Sequence, residues 1–220
     1  KGLEYAYDDW CISQLANAAG DSVTAESYKI KGLAYKQYFD PVTRFMRGKD
    51  ESGRWHEPFS PRSSNHREDD YCEGTAWQWT WFVPHDVDGL IDLMGGRDNF
   101  AEKLDSLFTA DSALEGELVS ADISGLIGQY AHGNEPSHHI IHLYNYAGRP
   151  WQTQELVDKV LKEQYRNDID GLSGNEDCGQ MSAWYILNAL GFYQVCPGKP
   201  VYSIGRPWFP KALIHLPNGS

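Results

Sequence analysis

PSHHIIHLYNYAGRPWQTQELVDKVLKEQY, residues 136–165, carries the architecture of this chain. Apolar residues recur at helical spacing on both sides of Gly148-Arg149-Pro150, which predicts helices over Pro136 to Ala147 and Trp151 to Tyr165. So short a link favours antiparallel neighbours. The rhythm recurs upstream, where Leu3, Ala6, Tyr7, Trp10, Leu15 and Ala19 mark a helix stopped by Gly20. Asp21-Ser22 then offers a cap, and a helix over Tyr28 to Tyr38 is broken by Asp40-Pro41. Val42 to Pro61 alternates around glycines as a hairpin or irregular loop. Helical patterns return at Glu68 to Val83, Val87 to Met94 and Asn99 to Phe108. A loop around Glu115–Ser124 leads into Leu126–Tyr130, and Gln180 to Leu190 forms the last helix, closed by Gly191. Beyond it, VYSIG at 201–205 and ALIHL at 212–216 are β-like runs set among prolines. The expected fold is therefore all-α over residues 1–198, with the helix–short loop–helix rhythm of an α/α toroid or solenoid. Residues 199–220 form a β-like tail.

The totals narrow the function. Among 220 residues, 19 basic against 31 acidic side chains leave a formal charge of −12. Nucleic acid and anionic membrane surfaces both need a basic face, so neither is an expected partner. There is no apolar run long enough to cross a membrane. The 8 Trp, 13 Tyr and 8 Phe fill a core, and flat rings also stack on sugar faces. Cys11, Cys72, Cys178 and Cys196 are widely spaced with no C-x-x-C pair, which argues against a zinc or dithiol redox centre; one disulfide is compatible with them. The opening residues read as the middle of a fold, as expected of a fragment.

Three polar segments carry the candidate chemistry. GLSGNEDCGQMSA, residues 171–183, frames Glu176 and Asp177 with glycines. Asp177 directly precedes a helix, and its plainer reading is an N-cap that stabilises the helix by about 1 kcal/mol. A second carboxylate and three glycines are more than a cap needs. An EF-hand loop fails there, because Leu172 and Ser173 occupy the third-ligand and glycine positions. HGNEPSHH, residues 132–139, offers Asn134 and Glu135 as oxygen ligands; otherwise they are a cap and a dipole partner at a helix start. Its imidazoles lack the i, i+4 pairing of a zinc site, and the oxygen donors suit Ca²⁺ better. Glu73, in YCEGTAWQW, lies among aromatic residues, a setting that raises a carboxyl towards a general acid's range; the alternative is a solvated Glu on a core helix. Two acidic groups from distant segments are the equipment of glycoside hydrolysis. There is no G-x-S-x-G, Walker A or dinucleotide fingerprint, and no His is placed to activate Cys178.

HGNEPSHH, DGLSGNEDCGQMSAWYILNALGFYQVCPG at 170–198 and YCEGTAWQWTWFVPHD at 71–86 resemble the catalytic-domain motifs of glycoside hydrolase family 92. The likeness runs from about residue 1 to residue 219. The family consists of calcium-dependent, inverting exo-α-mannosidases. The resemblance implies part of an (α/α)₆ barrel following an N-terminal β-sandwich, with a mannose-containing glycan as substrate. The missing sandwich and the rest of the barrel become expected partners, and residence periplasmic or extracellular. Carried onto this sequence, Glu73 is the general acid and Asp177 the general base, with Glu176 helping to set its charge. Glu135 is the alternative acid. Asn134 and Glu135 hold Ca²⁺ or the water and sugar hydroxyls around it, and Glu117, His132 and Trp77 are substrate contacts. The competing expectations are a non-catalytic carbohydrate- or protein-binding helical module, and a toroid hydrolase acting on another sugar.

Overall fold

The computed structural model describes residues 1–66 and 68–217. Among the described residues eight α-helices and three two-stranded antiparallel hairpins alternate along the chain, so the protein is helix-rich with a few short strands. Helices α1 (Gly2–Ala18) and α2 (Ser22–Lys31) pack against each other, and the Asp21 side chain caps α2 by accepting from Thr24 N at 3.0 Å. Strands β1 (Phe39–Asp40) and β2 (Phe45–Met46) form the first hairpin. Next come α3 (Ala76–Trp79), α4 (Val87–Leu93) and α5 (Arg97–Thr109). The second hairpin, β3 (Leu126–Ile127) with β4 (Tyr130–Ala131), leads to α6 (Leu143–Tyr146), α7 (Pro150–Glu163) and α8 (Gln180–Leu190). The third hairpin pairs β5 (Phe192–Tyr193) with β6 (Ser203–Ile204), which ties the tail back onto the residues just after α8. Tyr35, Trp81, Phe100, Leu104, Tyr144 and Trp184 are fully buried in one apolar core spanning these elements. Among the described residues no helix is long and apolar enough to cross a membrane.

Several boundaries differ from the periodicity. The second helix starts at the Asp21 cap and stops at Lys31; a 3₁₀ turn, Ala34–Tyr38, replaces its expected second half. A side chain at Gly32 would press on Trp10 Cβ at 3.2 Å and Ala6 O at 3.3 Å, so α2 ends where it crosses α1 closely. The helix expected over Glu68 to Val83 shrinks to the four residues of α3. Upstream of it, Asp69 accepts from the Asn65 and Tyr71 backbone N–H groups at 2.7 and 3.1 Å and folds the segment into a loop. Thr75 and Gln78 then start α3 as a capping box.

The helix expected over Pro136 to Ala147 is broken into 3₁₀ turns at Glu135–Ser137 and Ile140–His142 before α6. Here His139 bonds to the Trp81 carbonyl, His138 to His132 O and His142 to the Asn188 side chain, contacts that the tighter 3₁₀ turns allow. Ala212–Leu216 forms no strand; Leu213, Ile214 and Leu216 are exposed, and no partner strand stabilises them. All four cysteines are free thiols.

Candidate active site

Three loops bring their carboxylates together. The first holds Glu73, an exposed residue with φ of 50°, in the left-handed region that β-carbons disfavour. Side chains from elsewhere fix it: Trp79 Nε1 donates to Cys72 O at 2.8 Å, and Asn134 Nδ2 donates to Glu73 O at 2.8 Å. Glu73 stands in the wall of a cleft of about 550 Å³, with Arg47, Lys49, His66, Asp69 and Asp70 among the other lining residues. The side chain is thus not enclosed by aromatics, as the sequence around it suggests.

The second loop, residues 132–135, lies backbone to backbone on the third. A β-carbon on Gly174 would run into the Gly133 carbonyl oxygen, and one on Gly133 would meet Ser124 Oγ and Ser173 O. Only glycine permits this approach. It carries the half-buried Glu135 towards Asp177. Burial raises the Glu135 carboxyl above its ordinary value, the adjoining Asp177 carboxylate raises it further, and Glu73 adds a smaller contribution. Glu135 therefore senses both other carboxylates although more than forty residues separate each loop from the next.

The third loop reverses the capping expectation. Glu176, not Asp177, serves α8: its carboxylate accepts from Ser182 N at 3.0 Å and from Ser182 Oγ at 2.8 Å. Asp177 (φ 34°), Cys178 (φ 57°) and Gly179 (φ 87°) are three successive left-handed residues. Two of them are not glycine, and such conformations cost on the order of 1 kcal/mol or more each. The result is an exposed Asp177 held off the helix end, with its carboxylate turned to Glu135 rather than spent on a cap.

The remaining predicted residues lie elsewhere. His132 is fully buried, with Tyr130 Oη 2.8 Å from Nδ1 and Tyr165 Oη 2.8 Å from Nε2. Since the Tyr165 hydroxyl donates to Met181 O at 3.1 Å, it accepts from His132 Nε2–H, and Tyr130 donates to Nδ1. Burial drives this imidazole down to about 2, so it is neutral and both nitrogens are engaged within the core. Substrate contact from its ring has no path. Trp77 packs edge-on to Phe45 at 4.9 Å, its indole N–H buried without a partner, and Lys103 Nζ sits 4.7 Å from its ring centroid. It belongs to the core margin. Glu117 is exposed on a separate loop, where its N–H donates to Asn65 Oδ1 at 2.9 Å.

Oxygen donors suited to a hard cation gather at the same place. Asn134 turns its Nδ2 to Glu73 O, which leaves Oδ1 on the side of Glu135, whose N–H it accepts at 3.2 Å. The mutual repulsion of Glu135 and Asp177 is what a divalent cation relieves. Among the described residues no three His, Cys, Asp or Glu side chains are arranged to hold a metal by themselves. Six to eight oxygens are usual for Ca²⁺, so Asn134 and Glu135 fit as part of a shell that water, sugar hydroxyls or other parts of the protein complete.

Residues 1–220 match the glycosyl hydrolase family 92 catalytic domain. An uncharacterized secreted glycosidase of Arthroderma benhamiae is 28% identical over 237 residues, covering 98% of this chain and 28% of that protein. The family GH92 α-mannosidase BT3965 from Bacteroides thetaiotaomicron, in complex with mannoimidazole, superposes with a TM-score of 0.87 at 44% identity. The match covers 93% of this chain and 27% of that one. The family GH92 inverting mannosidase BT2199 from the same organism gives 0.84 at 40% identity, over 100% of this chain and 30% of that one. The chain thus spans less than a third of the length of each of these relatives.

Proposed function

The chain belongs to glycosyl hydrolase family 92, and on that footing we propose that the intact protein removes terminal α-linked mannose from glycans by a calcium-dependent inverting mechanism. The chain supplies part of an (α/α)₆ barrel in this reading, and the protein is exported, as its secreted relative suggests. One observation carries it: the Asn134 Nδ2–Glu73 O bond and the Gly133–Gly174 backbone contact bring together three segments, from about residue 73 to residue 177, that each carry a carboxylate. Asp177, exposed and held off the α8 terminus, takes a proton from a water as that oxygen attacks the anomeric carbon. Glu73 donates a proton to the departing glycosidic oxygen as its bond breaks. Inversion predicts about 6.5–9.5 Å between the two carboxyl groups, room for the water. Asn134 and Glu135 would hold Ca²⁺, which would supply a positive charge to engage sugar hydroxyls and favour ring distortion.

The Glu135 carboxyl, raised by its surroundings, favours a second reading in which Glu135 is the acid. Leaving-group dependence separates them. A variant lacking the acid keeps hydrolysis of an activated dinitrophenyl α-mannoside while losing that of a mannobiose. Glu73→Ala shows this pattern in the first reading, Glu135→Ala in the second.

The test of the function is an α-mannobiose panel given to the intact protein, with and without EDTA, with the released anomer followed by proton NMR. β-Mannose released in Ca²⁺ and not in EDTA is the expected result. Sugar binding without release from any mannoside overturns it in favour of a binding module.

A further inference from the structure

Buried imidazoles tie the helix start behind Asp177 to the loop that carries Glu135. His138 is buried, and its Nε2–H donates to His132 O at 2.9 Å. That bond leaves Nδ1 as an acceptor, and Gln180 Nε2 donates to it at 3.1 Å. Gln180 is the first residue of α8 and follows Asp177, Cys178 and Gly179 directly. A second tie runs in parallel from His132 through the Tyr165 hydroxyl to Met181 O. Trp184 Nε1, one turn on, donates to His138 O at 2.9 Å. The first turn of α8 is thus hung from the loop that carries Glu135, by groups that touch neither acid.

We infer that the His138–Gln180 hydrogen bond is a positioning clasp that fixes Asp177 relative to Glu135 for the reaction. This rests on the proposed role of Asp177. Three left-handed residues in succession are a conformation the chain does not hold by itself, so the loop needs an anchor on its far side. On the near side Glu176 binds Ser182 within the same segment, which fixes the loop to α8 but not to Glu135. The clasp is the tie closest in sequence to Asp177, beside those through Tyr165 and Trp184, and it is specific in direction: His138 must accept and residue 180 must donate. Neither side chain is a catalytic residue.

The test uses the intact enzyme and two readouts, mannoside kinetics and hydrogen exchange of the 174–179 backbone. Displacement of a reacting group by about 1 Å costs on the order of 10²-fold in rate. Gln180→Ala is therefore expected to lower kcat by about that factor, with KM unchanged and exchange over 174–179 accelerated. Asn at position 138 places its Oδ1 where Nδ1 stands, so His138→Asn restores most of the kcat that His138→Ala loses. Tyr193→Phe removes the other group near the Gln180 amide, 3.3 Å away, and leaves both readouts as in the wild type. Unchanged exchange in Gln180→Ala, or unchanged kcat despite faster exchange, overturns the clasp. Loss of kcat that tracks loss of folded protein by circular dichroism in Gln180→Ala, with no rescue in His138→Asn, overturns it as well. If the wild type hydrolyses no mannoside, the functional reading fails, and exchange alone decides whether the bond fixes the loop.

Discussion

The acidic rim and the imidazole floor of this site are built on opposite rules. On the rim, Glu73 and Asp177 are exposed on backbone of positive φ, and Glu135 is half-buried against a like charge. In the floor, His132, His138, His139 and His142 are buried, neutral and hydrogen-bonded: His139 Nε2 donates to Trp81 O at 2.8 Å, and His142 Nε2 to Asn188 Oδ1 at 2.8 Å. In His132, His138 and His142 both ring nitrogens are engaged within the protein. The rim groups are strained or repelled, and a site can use both. Histidine near a glycosidase site is thus not in itself a sign of contact with sugar.

Breaking the rim has the largest effect. Asp177→Asn in the intact enzyme is expected to reduce kcat about 10²–10⁴-fold on all mannosides, with the melting temperature unchanged or raised, since a like charge beside Glu135 is removed. Breaking the seam between rim and floor comes next. Gly174→Ala drives a methyl into the Gly133 carbonyl, with an expected loss of about 1–3 kcal/mol in denaturant unfolding together with most of the activity.

The floor is tested by pH. Burial pushes His139 and His142 down to about 4, against about 6.5 in an unfolded chain. Below that value the unfolded chain takes up protons that the fold refuses, so stability is complete above about pH 6.5 and falls towards pH 4. Urea midpoints at pH 7.5 and pH 5 measure this, and equal midpoints contradict a neutral floor. Glu135 runs the other way in EDTA, its contribution present at low pH and lost as pH rises through its elevated value.

Lys103 gives the smallest effect and sharpens the contrast. It is buried like the floor, yet the Phe45 and Trp77 rings face its ammonium, and burial, with the nearby Arg44 charge, lowers it to about 7. Lys103→Met is expected to stabilise the protein at pH 7 by about 1 kcal/mol, by removing a poorly compensated buried charge. The gain shrinks as pH rises towards 10, where the unfolded lysine loses its proton as well. A destabilised Lys103→Met variant means that the ring faces hold the cation better than burial opposes it.

Much of this was legible in residue order. Helices α1, α5, α7 and α8 follow from apolar periodicity and from Gly20, Pro150 and Gly191, because helix bonds are local and each signal acts within a turn or two. The motifs around Glu73, Asn134–Glu135 and Asp177 announced a glycosidase for the same reason, since each is one short segment. Residue order misjudged length where side chains bond backbone outside the helical ladder, as Asp69 and Thr75 do before α3 and His138 and His139 do before α6. It also could not divide labour between neighbours of one chemical type. That Glu176 caps α8 while Asp177 is held away, that His132 is sealed between two tyrosines, and that Gln180 meets His138 across 42 positions are contacts between segments. Sequence determined which groups this protein possesses and which local elements carry them. Tertiary structure alone decided which of those groups are satisfied and which are left able to react, because hydrogen-bond partners, burial and the field of a neighbouring charge belong to the assembled chain.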